Sequence, residues 1–324
     1  MGPLTVAITG ANGFVGGACV AEARRQGHPV LAVYRSTPRP DWADDPDITP
    51  LQFDLGATNA ATELMQHLPE GSALIHAAAH LGDDPEALRR DTIDATRRLI
   101  AARGARDIRL VLISSISVYD TDAVAPGDTI CESSPLLPLA DPHDARDPYA
   151  GAKRMQEDML TSGKDDWILR PGAVWGPTRS WHALQGFWAS KLFVTIGSDG
   201  ELPLCHVDHL ARVSVAAART RTEGVLAVNV LDDDRPTRAR FLHAHRRSYG
   251  WPRLNITVPY GAWLALVRLL KPVSGKLPGL FREPVLRARM MPLRWSNDRA
   301  RSDFGLEDID TFEGMMARTK EAER

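Results

Sequence analysis

Tyr149 and Lys153 are the pair in this chain whose types and spacing ask most plainly for chemistry. Four positions apart on a helix, they share one face and lie one turn from each other. A tyrosine that titrates near pH 10 is a poor acid or base at neutral pH. A neighbouring ammonium favours its phenolate, and a positively charged ring bound alongside favours it further. The pair therefore points to proton transfer at a substrate oxygen.

A second constellation lies at the start of the chain. Gly10, Gly13 and Gly16 follow the apolar run Leu4, Val6, Ala7 and Ile8, which suits a buried strand, and precede a helical stretch at 18–26. A pyrophosphate can sit on the positive end of a helix only where the backbone comes close, so side chains must be absent there. Gly10 permits the tight turn, Gly13 the close approach, and Gly16 the packing of helix on strand. Candidate dinucleotide contacts are Gly10, Asn12, Gly13, Phe14, Val15 and Gly16.

Val30–Tyr34 reads as the second strand, and Arg35, Ser36 and Thr37 follow it. An NAD enzyme places an acid here to accept hydrogen bonds from the ribose. Arginine cannot accept them but can pair with a 2′-phosphate, so Arg35 and Ser36 favour NADP over NAD. Further strands are expected at 51–53, 73–75, Arg109–Ile113, 167–170 and 227–230, with a long helical pattern at 84–103 and another at 236–249. Residues 120–148, rich in Pro, Asp and Ser, show no such pattern, and at that length suggest a lid or flap.

The bulk composition excludes several classes. A formal net charge of −2 with scattered Lys and Arg argues against a nucleic-acid surface. Cys19, Cys131 and Cys205 lie far apart without metal-like spacing, which fits reduced thiols in a cytoplasm. A first strand near Leu4 leaves no room for a targeting segment, and the most apolar stretch, 261–270, is too short to span a membrane. A soluble, cytoplasmic protein is the expectation. His206-Val207-Asp208-His209 tempts a metal reading, but strand neighbours point to opposite faces, so no metal is expected and Asp208 suits an N-cap.

Thr9-Gly10-x-x-Gly13-x-x-Gly16, Ser114-Ser115 with the later Tyr149-x-x-x-Lys153, and Leu169-Arg170-Pro171-Gly172-Ala173-Val174-Trp175-Gly176-Pro177 together resemble the extended short-chain dehydrogenase/reductase superfamily. The resemblance runs from Val6 to about Ala211 and more weakly beyond, nearest to 3β-hydroxysteroid dehydrogenase and dihydroflavonol reductase-like members. It implies an α/β fold, a doubly wound parallel sheet with a smaller, mainly C-terminal substrate-binding part. The dinucleotide-binding part is expected at 1–176 with 207–232 returning to it, and the substrate part at 177–206 and 233–324.

The resemblance also implies roles. Ser115 grips the substrate oxygen, with Ser114 or Ser117 as alternatives; Tyr149 is the acid/base, and Lys153 its partner and the holder of the nicotinamide ribose. Asp54, unless it is a helix cap, and Leu55 meet the adenine end, Ala77, Ala78 and Ala79 lie under the cofactor, and Pro171, Gly172 and Val174 pass beside the nicotinamide. His76 is either a cofactor contact or a core histidine. The chain departs from the pattern at Thr92, where relatives carry an Asn behind the site, and at Ala173, where nucleotide-sugar dehydratases carry an Asn for a diphosphate.

Ala173 and the run Trp181, Phe187, Trp188, Leu192 and Phe193, read as helix core or as a pocket wall, favour an apolar substrate such as a ketone. Val258, Trp263, Leu264, Leu266, Val267, Leu269 and Leu270 suggest a helix flanked by Lys271, Lys276, Arg282 and Arg287, suited to a lid or a lipid-facing surface. The expected activity is reversible hydride transfer with NADP(H) on an apolar carbonyl or alcohol, with a homodimer through 84–103 and 149–161 as a family-based expectation. The alternatives are a nucleotide-sugar epimerase or dehydratase retaining NAD, and a protein that senses NADP without chemistry.

Overall fold

Strand and helix alternate through the first half of the computed structural model, which describes residues 2–323 apart from 146, 161–164, 273–276, 278 and 308–309. The chain runs β1 (Val6–Thr9), α1 (Phe14–Arg25), β2 (Val30–Tyr34), β3 (Ile48–Gln52), α2 (Ala60–His67) and β4 (Ala73–His76). α3 (Pro85–Leu88) and α4 (Ala95–Arg103) follow, joined by a wide helical turn at Arg89–Asp94. Next come β5 (Arg109–Ile113), β6 (Thr129–Ile130), α5 (Pro148–Asp158), β7 (Asp166–Pro171), β8 (Ala173–Trp175), β9 (Phe187–Ala189), β10 (Leu192–Ile196), β11 (Leu204–His206), α6 (Val207–Arg219) and β12 (Val225–Val230). The chain ends with α7 (Arg238–Tyr249), β13 (Asn255–Val258), α8 (Tyr260–Leu269), α9 (Glu283–Met290), β14 (Arg294–Trp295), α10 (Asp298–Phe304) and α11 (Phe312–Glu321).

Seven strands form one parallel sheet in the order β12-β7-β5-β4-β1-β2-β3. Alternation along each strand decides the layers. Val6, Ile8, Ala73, Ile75, Val111 and Ile113 enter one apolar cluster, which α1 and α6 complete with Val20, Ala23, Leu210 and Val213. Ala7, Leu74, Leu110 and Leu112 point the other way, against Leu64 and Met65 of α2 and Leu99 of α4. The result is a three-layer sandwich whose strand order reverses between β1 and β4. That reversal opens a crevice at the carboxyl ends of the two strands.

A buried ion pair ties the layers. Arg103 donates to Asp166 at 2.6 Å, and the same carboxylate oxygen accepts the Leu110 N–H at 2.9 Å. Loss of either partner would strand a buried charge, at a cost of about 3–5 kcal/mol.

Several elements differ from the sequence reading. α1 begins at Phe14, earlier than 18, because extended Gly13 caps it directly after the glycine turn. β3 begins at Ile48, drawn forward by register with Val30. The helical pattern at 84–103 is broken by the wide turn, and α5 ends at Asp158, Thr161 lying outside the described residues.

The first half of the 120–148 segment, expected as a lid or flap, is tied down by pairing. β6 within it pairs with β14, Tyr119 bridges Leu136, and Arg287 donates to the carbonyls of Thr121 and Val124. The segment thereby clasps the C-terminal helices around Ile130, Trp263, Met290 and Trp295. Val258, expected in a helix, pairs instead with Ile196 in the sheet β13-β10-β9. α8 buries Tyr260, Trp263 and Val267 and exposes Leu266 and Leu269. No helix among the described residues is long and apolar enough to cross a membrane, and Lys276 lies outside them.

Candidate active site

The turn after β1 is built backbone against backbone. Gly10 has a φ of 68°, and a Cβ there would stand 3.0 Å from the Ala78 backbone. At Gly16 a Cβ would come within 2.1 Å of the Gly10 carbonyl oxygen, which no side chain can relieve. The unpaired N–H groups of the first turn of α1 are thereby brought to the crevice, with the positive end of the helix. The Asn12 amide donates to the Thr37 carbonyl and ties this loop to the end of β2.

A cavity of about 1170 Å³ fills the crevice. Arg35, Ser36, Asp54 and Leu55 line one end, Gly10, Asn12, Gly13, Phe14, Val15, Gly16 and Ala77, Ala78 and Ala79 the middle. Ser115, Tyr149, Lys153, Pro171, Gly172 and Val174 line the far end. These cofactor and catalytic candidates named from the sequence thus face one space, while His76 and Ser117 lie outside it. Arg35 is largely exposed and pairs at 3.0 Å with Asp91, a cavity residue that sequence reasoning missed. Arg90 beside it pairs with Asp54.

The three serine alternatives differ in their surroundings. Ser114 donates its hydroxyl to Glu157 at 2.6 Å and is spent there, while the Ser117 hydroxyl is buried and does not line the cavity. Ser115 lines the cavity with Tyr149, near enough to favour its phenolate, and accepts the Ser117 N–H at 3.2 Å. Burial pushes Tyr149 up to about 12; Ser115 opposes this and Asp147 adds to it.

The expected help from Lys153 is not what lowers the tyrosine here. Its ammonium lies 5.9 Å from the Tyr149 ring centre and donates to the Ile113 carbonyl at 2.8 Å and to Gln156 Oε1 at 2.9 Å. Burial pushes Lys153 down to about 8, with the Glu157 carboxylate pulling the other way. Glu157 itself takes two bonds from Arg170, at 3.0 and 2.8 Å, and Arg170 donates a third to Tyr119 at 3.0 Å.

His76 is a core histidine and no cavity residue. It is buried between the hydroxyls of Thr9 and Thr96, at 2.7 and 2.9 Å, and burial pushes it down to about 3. His206 caps α6, accepting the Asp208 N–H at 3.3 Å, so the cap falls two residues before the Asp208 expected in that place.

Beyond β8 the wall is aromatic, but only part of the expected run reaches it. Trp181 lines the cavity, packed on Trp251 at 4.5 Å and on Phe193 at 5.0 Å between ring centres. Phe187, Trp188, Leu192 and Phe193 sit on the antiparallel pair β9 and β10, in neither a helix nor the wall. Arg179 and His182 join the wall; burial and the Arg179 charge push His182 down to about 4. Their position directly after Gly176-Pro177 was a usable signal, whereas nothing local marked Trp251.

Comparison with known proteins agrees with this geometry. The NAD-dependent epimerase/dehydratase family matches residues 6–230. A ceramide reductase of Caulobacter vibrioides is 25% identical over 315 residues, covering 93% of this chain and 81% of that protein. A Synechocystis protein named as a dihydroflavonol 4-reductase is 29% identical over 177 residues, 52% of this chain and 49% of its own length. Among solved structures, the UDP-glucuronic acid 4-epimerase of Bacillus cereus, in complex with UDP-glucuronic acid and NAD, superposes with a TM-score of 0.70 over 98% of both chains. At 16% identity that likeness is one of fold. The chain belongs to the NAD-dependent epimerase/dehydratase family and is an NAD(P)-dependent enzyme of the extended short-chain dehydrogenase/reductase type.

Proposed function

We propose that the chain is an NADP(H)-dependent oxidoreductase that interconverts a carbonyl and a secondary alcohol on an apolar small molecule. The observation that carries this reading is the convergence of Ser115, Tyr149 and Lys153 beside Pro171 and Gly172, at one end of a glycine-floored cavity. The floor fits a pyrophosphate, since a Cβ at Gly10 or Gly16 would press on backbone where a phosphate needs close approach. A nicotinamide dinucleotide held there supplies or accepts the hydride. Ser115 and Tyr149 grip the substrate oxygen, Tyr149 passes the proton, and Lys153 holds the ribose hydroxyls.

Arg35 and Ser36, at the end of a strand that carries no acid of its own, favour a 2′-phosphate. Trp181, Trp251 and Ala173 favour an apolar substrate, and the name of the Caulobacter relative, a ceramide reductase, lies in the same direction. Residues 1–176 with 207–232 form the dinucleotide part in this reading, and the remainder the substrate part. A nucleotide-sugar epimerase with retained NAD is the second reading, favoured by the cation of Arg179 in the wall.

Titration of NADPH against NADH, on wild type and Arg35→Asp, tests the cofactor. Tighter NADPH binding that the variant loses is expected; equal binding, or NAD that co-purifies and stays, brings the epimerase reading forward. Tyr149→Phe is expected to lower kcat for an apolar ketone about 10²–10⁴-fold with NADPH affinity kept. Undiminished turnover would sink the acid–base role.

A further inference from the structure

Lys153 is held from behind by a side chain that the reaction does not otherwise use. Gln156 is fully buried, and its Oε1 accepts from the Lys153 ammonium at 2.9 Å. An ammonium only donates, so the orientation of the amide is fixed, and its Nε2 donates to Thr96 Oγ1 at 2.5 Å. Thr96 gives its own hydrogen to the Thr92 carbonyl at 2.7 Å. It must therefore receive from His76 Nε2, 2.9 Å away, which leaves His76 Nδ1 to accept from the Thr9 hydroxyl at 2.7 Å. Thr9 Oγ1 in turn accepts the Ala78 N–H at 3.1 Å. Each donor has its acceptor: the bonds from the crevice floor and those from the lysine converge on Thr96, which passes its own hydrogen to the Thr92 carbonyl.

We propose that Gln156 is the positioning residue of Lys153, aiming its ammonium and coupling it through Thr96, His76 and Thr9 to the glycine turn. The proposal rests on the reading of Tyr149 and Lys153 given above. An ammonium carries three hydrogens. The Ile113 carbonyl and Gln156 take two, so a single one is left for the cavity, where the ribose hydroxyls of a dinucleotide would accept it. Thr92 offers no amide, its hydroxyl accepting the His80 N–H at 2.9 Å, so the amide behind the lysine comes from α5 instead. The groups facing Lys153 are few. Glu157 and Tyr149 share its helix, Arg170 of β7 is bound to Glu157, and His76 of β4 is uncharged at neutral pH. The wide turn, α4 and the end of β5 bring the hydroxyls and carbonyls of Thr92, Thr96, Ser114 and Ile113, and Asp91 of the wide turn lines the same cavity, paired with Arg35.

The chain has six lysines, so Lys153 can be followed directly by NMR of ¹³C-lysine-labelled protein, its signal assigned by loss in Lys153→Met. Gln156→Met removes one acceptor of a charged donor and is expected to lower the lysine pKa by about one unit or more. Gln156→Glu is expected to raise it by about as much, the alkaline limb of kcat moving in the same direction in each variant. A Lys153 titration unchanged in both variants would overturn the proposal; if the Met variant fails to fold, the Glu variant alone decides by its upward shift. Failure of the catalytic reading shows separately, as an active Tyr149→Phe enzyme, while the lysine titration still reports on Gln156.

Discussion

The two ends of the cavity are built in opposite ways. At the glycine end, where the proposed dinucleotide would lie, the surface is backbone, and Gly10, Gly13 and Gly16 shape it by lacking a side chain. Gly10, Gly13 and Gly16 fall within one turn, and the nearest neighbours of their missing Cβ atoms are other backbone atoms. At the substrate end the wall consists of large side chains brought from separate stretches. Trp181 follows β8, Trp251 follows α7, and Phe193, Phe241 and His245 support them from behind. Backbone against backbone cannot yield, whereas stacked rings can be trimmed and repacked. In the proposed reading one end is therefore committed to a ligand class, and the other is free to change its specificity while the fold stays.

Gly16→Val tests the rigid end and carries the largest expected effect. Its Cβ would overlap the Gly10 carbonyl oxygen at 2.1 Å, so the turn must open and NADPH binding should vanish in a calorimetric titration. Retained affinity would show that the cradle lies elsewhere. Trp181→Ala tests the adaptable end. It removes an aromatic worth about 1.5–3 kcal/mol of buried surface, so KM for an apolar ketone should rise about 10–100-fold. NADPH affinity should stay as it was. A loss of NADPH affinity in Trp181→Ala would mean that the two ends are coupled, and the comparison would fail.

The same contrast explains what could be read without coordinates. The dinucleotide end is local: a strand, three glycines and a helix in one short stretch, followed by strand ends whose small or polar residues recur after each β-strand. Tyr149 and Lys153 were legible because four residues is one helical turn. The wall was not, because Trp251 reaches Trp181 only through tertiary packing. The pairing at Thr129–Ile130 was not legible for a related reason. Its strand is two residues long and takes its meaning from β14, far along the chain, so no periodicity announces it. Asp91 escaped notice because it sits in the wide turn, where helical spacing no longer predicts which residues face the crevice.

Acid titration gives a finer and smaller test, since one histidine kept neutral by burial lies in the core behind the crevice floor and another in the aromatic wall. His76 stands near 3 and His182 near 4 in the fold, against about 6.5 for a free imidazole. As pH falls through about 6.5 the unfolded chain takes up a proton at each site and the folded chain does not. Stability therefore decreases toward acid, by up to about 1.4 kcal/mol per pH unit for each histidine until its folded value is reached. The two should differ at neutral pH. His76 satisfies Thr9 and Thr96, so His76→Leu should cost stability at pH 7 while flattening the acid slope. His182 Nε2 has no hydrogen-bond partner among the described residues, so His182→Phe should flatten the slope at little cost at pH 7. Urea unfolding at pH 7 and pH 5 on both variants separates these outcomes, and an acid slope unaltered in both would mean that other groups govern it.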